Sequence, residues 1–257
     1  MFNLEDFDIK LDTDYIGRRF VYGAEVDSTN AVLMNPEYEF NENGTVLLAE
    51  KQLKGRGRLG RIWYSSKDFN LTFSILLNDK SLFSKNLTLL VFGAANVVAA
   101  SIENLFQLRS EVKWPNDILI NGKKVAGILL ESASHGKKIN RLVVGIGINV
   151  NQQTFHGDFP IEATSIKNEL NQNVERESLL AEVLNIFEEM LNKYKADPAQ
   201  ILKDWRMRCR MIGERIDIND GVKSRYGIFD DVDENGALLL RTEKGIEKII
   251  FGDVSRR

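Results

Sequence analysis

The pair Asn121-Gly122 lies between two apolar, β-prone runs at 118–120 and 123–131. An Asn-Gly pair in that setting is the strongest short-range signal for a tight hairpin, because both residues tolerate the positive φ the turn demands. It commits this part of the chain to two strands side by side, with Asp117 near the start of one and Lys124 on the other. Residues 141–150 read as a further strand, in which Gly145 and Gly147 stand two apart and therefore on one face. Bare glycines on one face imply that something passes close over it.

The remaining elements follow from period and punctuation. Residues 19–26 are a short β-rich run ending at Asp27-Ser28-Thr29-Asn30, four residues that favour helix N-caps, and a helix over 29–35 is stopped by Pro36. Strands are expected over 45–50 and 70–77, and a buried, small-sided helix over 87–106. Leu179, Leu180, Val183, Leu184, Phe187, Met190, Leu191 and Tyr194 recur at helical spacing, and Asp197-Pro198 opens another helix running to about residue 207. From 211 onward the chain turns β-rich. Short strands at 214–218, 223–231, 237–241 and 246–251 are separated by Asn-Asp-Gly, Glu-Asn-Gly and Lys-Gly turns. The expected architecture is α+β: a mixed or antiparallel sheet packed with helices over residues 1–210, and a small β-barrel over 211–257.

With 43% hydrophobic and 28% charged residues the chain affords an ordinary globular core. Its single cysteine, Cys209, excludes an internal disulfide framework and fits a reducing compartment. No signal peptide is visible, and the most apolar segment, 87–102, is interrupted by Thr88, Asn96 and Ser101. It falls short of the roughly 20 apolar residues a membrane span needs. A cytoplasmic protein is expected. The two histidines, His135 and His156, have no neighbours at metal-ligand spacing, which argues against zinc. Neither a P-loop nor a Gly-x-Ser-x-Gly elbow occurs.

Positive charge is concentrated in one place. Lys51, Lys54, Arg56, Arg58 and Arg61 fall within eleven residues that contain no acid, in a chain whose formal net charge is −3. Gly55, Gly57 and Gly60 interleave the arginines and Trp63 follows them. Glycines let a ligand approach main-chain N–H groups, and guanidinium forks match phosphate and carboxylate geometry, so the segment suits a small polyanion. The rest of the candidate set is cations and amides (Lys113, Lys124, Asn116, Asn149) with Asp117 as a lone carboxylate. One carboxylate amid such charge fits a magnesium-bridged triphosphate better than acid–base hydrolysis.

Five motifs in order carry a family resemblance: Ser28-Thr29-Asn30; Gly55-Arg56-Gly57-Arg58-Leu59-Gly60-Arg61-Ile62-Trp63; Lys113-Trp114-Pro115-Asn116-Asp117; Lys124-Val125-Ala126-Gly127; and Gly145-Ile146-Gly147-Ile148-Asn149. The chain resembles the biotin protein ligases. The resemblance implies a class II synthetase-like catalytic domain with an SH3-like C-terminal barrel. It implies an enzyme that joins biotin to ATP as biotinyl-5′-adenylate, releases pyrophosphate, and passes biotin to a lysine of a biotin carboxyl carrier protein. By the same resemblance Lys124, Arg56 and Arg58 stabilise the reacting groups. Ser28, Thr29, Asn30, Gln52, Gly55, Arg56, Trp63, Lys124 and Gly127 hold biotin. Arg58, Arg61, Lys113, Trp114, Asn116, Asp117 and Asn149 hold ATP, and Asp117 serves magnesium.

Two departures stand out. About eighteen residues precede the first strand, as in the ligase-only class, so no operator binding is expected; and Leu59 replaces an arginine that some members carry in the loop. A homodimer is common in the family. The nearest rival reading is a lipoate ligase, whose Arg-Arg-x-Ser-Gly-Gly-Gly loop is absent here. A non-catalytic nucleic-acid-binding module is disfavoured by the acidic pI of about 5.6.

Overall fold

A computed structural model describes residues 2–83, 85–136, 138–157 and 159–257. The first half runs α1 (Leu4–Lys10), β1 (Phe20–Gly23), α2 (Thr29–Met34), β2 (Val46–Ala49), β3 (Leu71–Leu77), α3 (Lys80–Phe83) and α4 (Leu87–Phe106). Then come β4 (Ser110–Lys113), β5 (Asp117–Ile120), β6 (Lys123–His135), β7 (Lys138–Ile148), α5 (Ile166–Leu170), α6 (Arg176–Ala196) and α7 (Pro198–Arg208). The last part is all strand: β8 (Arg215–Asn219), β9 (Ser224–Val232), β10 (Leu238–Thr242), β11 (Gly245–Ile249) and β12 (Asp253–Arg256).

The hairpin predicted from Asn121-Gly122 joins β5 to β6, with φ of 51° and 78° at its two central residues. Seven strands form one sheet in the order β1-β2-β3-β7-β6-β5-β4, antiparallel throughout except where β1 and β2 run parallel. Strand β3 is buried at all seven positions, so its alternation is between two covered faces rather than between core and water. Phe73, Ile75 and Leu77 join Leu142, Val144 and Ile146 in the main core. On the opposite face Leu76 and Val143 pack with Leu33 of α2. Further along that second face the apolar side chains give way to the buried Ser74 and to Thr72, Gly145 and Gly147, which line a cleft.

The main core is closed by α4, α6 and α7, and Phe92 stacks on Trp205 with ring centroids 4.2 Å apart. Contrary to expectation, α4 is by length and composition apolar enough to cross a bilayer; in the fold two-thirds of its most apolar window is buried inside the protein. Helices α1, α3 and α5 and strands β4 and β12 are additional to those read from the sequence, and the strand expected over 246–251 ends at Ile249.

The second sheet has five antiparallel strands in the order β11-β10-β9-β8-β12. Its interior residues Ile216, Phe229, Leu238 and Leu240 belong to the same continuous core as the first sheet. The buried Trp114 indole donates to the Gly236 carbonyl at 2.9 Å, and Arg206 pairs with Asp231 at 2.8 Å.

One buried ion pair fixes the point where the chain leaves β2. Arg176 at the start of α6 forks onto Glu50 at 2.6 and 3.0 Å, and Tyr22 donates to the same carboxylate at 2.8 Å. Burial pushes the Glu50 carboxyl up, but the bonds from Arg176 and Tyr22 outweigh it and hold the group below its ordinary value; the Tyr22 hydroxyl is pushed up to about 12 by burial and by Glu50. A depressed carboxyl stabilises the fold fully above its unfolded value of about 4.3, and that stability is lost as pH falls through the folded value. Glu50→Gln is therefore expected to cost about 3 kcal/mol at pH 7, since it leaves a buried guanidinium uncompensated. Urea denaturation of both proteins should show the difference narrowing as pH falls below about 4.

Candidate active site

The basic segment is a narrow hairpin standing on the end of β2. Gly57 N–H donates to the Arg61 carbonyl at 2.8 Å and Trp63 N–H to the Gly55 carbonyl at 3.1 Å, with a 3₁₀ turn over Arg58–Gly60 at the tip. A Cβ on Gly55 would lie 2.3 Å from the Trp63 carbonyl, so this glycine serves the base of the hairpin and does not itself line the cleft. Leu59 sits at the tip with φ of 54°, a conformation that costs an L-residue about 1 kcal/mol. Its exposed side chain adds no charge to the cleft mouth. At the foot, Lys51 and Lys54 are spent on Glu25 and Asp27, at 2.9 and 2.7 Å. Of the segment's five cations, the three arginines line the cleft.

The arginines are oriented by groups from both sheets. Arg56 faces Glu131 of β6 at 3.4 Å; Arg58 donates to Asn116 Oδ1 at 3.0 Å and to the Gly252 carbonyl at 3.4 Å; Arg61 pairs with Asp253 of β12. The cleft so enclosed measures about 660 Å³ and is lined from both sheets. Trp63 roofs Gly127 and Gly147: a Cβ on Gly147 would stand 2.4 Å from the indole. The face left bare by Gly145 and Gly147 thus receives Asn30 and Trp63, as their spacing had implied. The Trp63 Nε1 is buried without a partner among the described residues.

Lys124 owes its place to a bulge. The β5–β6 register pairs Leu119 with Lys124 but Ile118 with Ala126, so one extra residue is accommodated and the strand is re-aimed. The backbone of Lys124 is held on its outer side by Glu162 and Thr164, at 2.7 and 2.9 Å. Its ammonium lies 2.6 Å from Asp117 and 5.7 Å from the Trp63 ring centroid. Lys113 is almost fully buried and opposite Asp117 in the β4–β5 register. Burial pushes the Lys113 ammonium down, Asp117 opposes that shift and Lys124 adds to it; burial likewise pushes the Arg58 guanidinium down. Both shifts disfavour positive charge, and a bound polyanion would reverse them.

At the other end the cleft is neutral and polar. Ser28 caps α2, and the Thr29 N–H donates to Gln52 Oε1 at 2.7 Å, with the Thr29 hydroxyl 3.0 Å from the same oxygen. The Ser74 hydroxyl, from the sheet floor, contacts Thr29 Oγ1 and Asn30 Oδ1, both at 2.6 Å. Asn149 is buried beyond Lys124, its amide bonded to the Thr164 carbonyl at 3.0 Å, beneath a wall that includes Phe155, Phe159 and Ile161.

The structure therefore gathers Ser28, Thr29, Asn30, Gln52, Arg56, Arg58, Arg61, Trp63, Lys113, Asn116, Asp117, Lys124, Gly127 and Asn149 around one cavity. It does not bring Trp114 there. That indole is turned into the core toward Gly236, although Lys113 before it and Asn116 shortly after it line the cleft. Residues that the sequence reading missed are Glu131, Gly252, Asp253 and the wall made by Phe155, His156, Phe159, Pro160, Ile161 and Ala163. None lies in a basic or glycine-rich motif, so only the tertiary arrangement discloses them.

Two family profiles match the chain: the biotin/lipoate A/B protein ligase family over residues 22–149, and the biotin protein ligase C terminal domain over residues 211–257. The biotin--[acetyl-CoA-carboxylase] ligase of Paracoccus denitrificans is 34% identical over 238 residues, covering 90% of this chain and 98% of that one. The bifunctional ligase/repressor BirA of Bacillus subtilis is 34% identical over 253 residues, covering 95% of this chain and 76% of that one. Among solved structures, the biotin protein ligase from Aquifex aeolicus in complex with biotin and ATP superposes with a TM-score of 0.81 at 33% identity, covering 93% of this chain and 99% of that one.

The contact between Gly147 and Trp63 gives a direct test of the roof. Gly147→Ala inserts a methyl group where the indole now lies, so Trp63 must lift off the sheet. Trp114 and Trp205 are fully buried and should be unaffected. Tryptophan emission in this variant is expected to shift to the red, while the unfolding midpoint changes by no more than the few degrees that about 1 kcal/mol represents. An unshifted spectrum would place Trp63 elsewhere.

Proposed function

The chain belongs to the biotin protein ligase family, and from that premise we propose how its cleft carries out the family's two-step reaction. The enzyme is a biotin–[acetyl-CoA-carboxylase] ligase: it activates biotin with ATP and transfers it to protein. We assign residues 1–210 to the catalytic domain and 211–257 to a C-terminal domain that completes its cleft.

In the first step a biotin carboxylate oxygen attacks the α-phosphorus of ATP and pyrophosphate leaves. Two anions must meet, and the charge then spreads over the phosphoryl oxygens, so fixed cations aimed at that point lower the barrier. The observation that carries the assignment is the convergence of Arg58, Arg61, Lys113 and Lys124 on one cavity whose far end is neutral and hydrogen-bonding. In this reading Lys124 leaves Asp117 to stand between the carboxylate and the α-phosphate, and Arg56 serves both. Arg58, Arg61 and Lys113 hold the phosphates, with Asn116 and Asn149 on the nucleoside side. Ser28, Thr29, Asn30 and Gln52 take the polar ring and chain of biotin, under Trp63 and beside Gly127.

The hairpin and its tryptophan roof exclude water from the mixed anhydride until the acceptor arrives. In the second step the neutral amine of an acceptor lysine attacks the acyl carbon, AMP leaves with the bonding pair, and the amine loses a proton. The acceptor is a biotin carboxyl carrier protein.

Magnesium fits as a companion of the triphosphate. Among the described residues no three His, Cys, Asp or Glu side chains gather as a metal cage, and the carboxylates lining the cleft are Asp117, beside Lys124, and Asp253, paired with Arg61. Magnesium retains several waters and commonly takes one or two carboxylates plus substrate phosphates. Asp117 would be its protein contact, and the ion would offset phosphate charge.

A paired-sheet homodimer belongs to the same reading. Strand β5 covers β6 only as far as Gly127, and beyond Ile128 that edge has no strand partner among the described residues. Such an edge favours association. Sedimentation should show dimers at micromolar concentration in the presence of biotin and ATP; a strictly monomeric protein would remove this element.

The assignment is tested by pyrophosphate exchange into ATP. Exchange should require biotin and not proceed with lipoate, and Lys124→Ala should lower its kcat by about 10²–10³-fold, the scale of losing one fixed stabilising group. Arg58→Gly should form the adenylate but release it early, labelling lysines of bystander proteins. Retention as tight as wild type, with labelling confined to the carrier, would contradict the role given to Arg58.

A further inference from the structure

Glu131 lies outside every motif, yet it stands at the end of a chain of contacts that begins on the sheet floor. Asn30 is buried, and its carboxamide lies against Gly145, where a Cβ would stand 2.3 Å from Oδ1. The Ser74 hydroxyl meets Asn30 Oδ1 at 2.6 Å, and the groups facing the other end of the amide, a carboxylate and a carbonyl, can only accept, so its NH2 points toward them. That group donates to Glu131 Oε2 at 2.8 Å and to the Leu129 carbonyl at 3.3 Å. The other oxygen, Oε1, faces Arg56 Nη1 at 3.4 Å.

Resting on the functional reading above, we infer that Glu131 is a positioning residue for Arg56. Asn30 fixes the carboxylate, and the carboxylate fixes the guanidinium. The contact engages a single nitrogen of the fork, so the remaining donors of Arg56 stay available for a bidentate grip on a carboxylate or phosphate. Arg56 is 55% exposed and the Glu131 side chain 28%, and pairs of that kind add little to stability. The chain of contacts therefore does its work on geometry, where a displacement of about 1 Å in a reacting or clamping group changes rates by up to about a hundredfold. It also links two parts of the ligand site: Ser74 touches Thr29 as well as Asn30, so the helix start that receives one end of the ligand and the arginine that receives the other share one anchor.

The test is a double-mutant cycle in the full chain, with Glu131→Gln, Arg56→Ala and both together, read by biotin-dependent pyrophosphate exchange and by thermal unfolding. Glu131→Gln is expected to lower kcat/KM for biotin about tenfold with an unchanged unfolding midpoint, and to change it less than about twofold when Arg56 is already alanine. Glu131→Asp, which keeps the charge but shortens the reach, should recover part of the loss and serves if the glutamine variant folds poorly. Limited trypsin digestion reads the same contact without substrate: cleavage after Arg56 should be faster in Glu131→Gln than in wild type. Equal losses in both Arg56 backgrounds, or wild-type kinetics and digestion in Glu131→Gln, would overturn the inference. If wild type exchanges pyrophosphate without biotin, the functional reading falls, and the digestion result still decides the role of Glu131.

Discussion

Everything in the cleft answers to the crowding of like charge around Lys124. Arg58, Arg61, Lys113 and Lys124 line one cavity together with two carboxylates, Asp117 and Asp253, and both carboxylates are already engaged. Two of the cations are held where burial disfavours their charge. Such an arrangement costs free energy in the absence of a partner, and phosphates supply what it lacks. The hairpin built on three glycines, the bulge that aims Lys124 and the sheet face stripped at Gly145 and Gly147 are the local devices that bring the cations this close.

Much of the architecture was legible because its signals are local. Asn121-Gly122 specifies a turn by itself, and α4 and α6 are long enough for their period to be unmistakable. Gly145 and Gly147 announced a close approach, and Asn30 and Trp63 make it. What was missed is either short or non-local. Helix α1 has seven residues and is held by Phe7, which packs on Phe20, and by the Asn3 backbone N–H bonded to Glu177. No propensity in Leu4–Lys10 encodes those partners. Strand β12 is four residues of a charged tail, and it exists because β8 pairs with it.

The candidate site shows the same division. Residues within motifs were found as a set, because their spacing along the chain is itself the signal. Trp114 shows the limit of reading by adjacency. It stands next to Lys113 and two residues from Asn116, both in the cleft, yet its indole turns the other way and bonds a carbonyl beside the second sheet. Glu131 and Asp253 show the converse. They are common acids in unremarkable surroundings, and only the folded chain sets them opposite Arg56 and Arg61.

The second sheet looks separable in sequence, since a family profile covers residues 211–257 by itself. Yet its apolar interior is continuous with that of the first sheet, and through Gly252 and Asp253 it supplies one wall of the cleft. Modularity along the gene is thus not autonomy in the protein. A survey that sorted variants by domain would file substitutions near residue 252 under the appended unit, while their effects would surface as faults in handling phosphate.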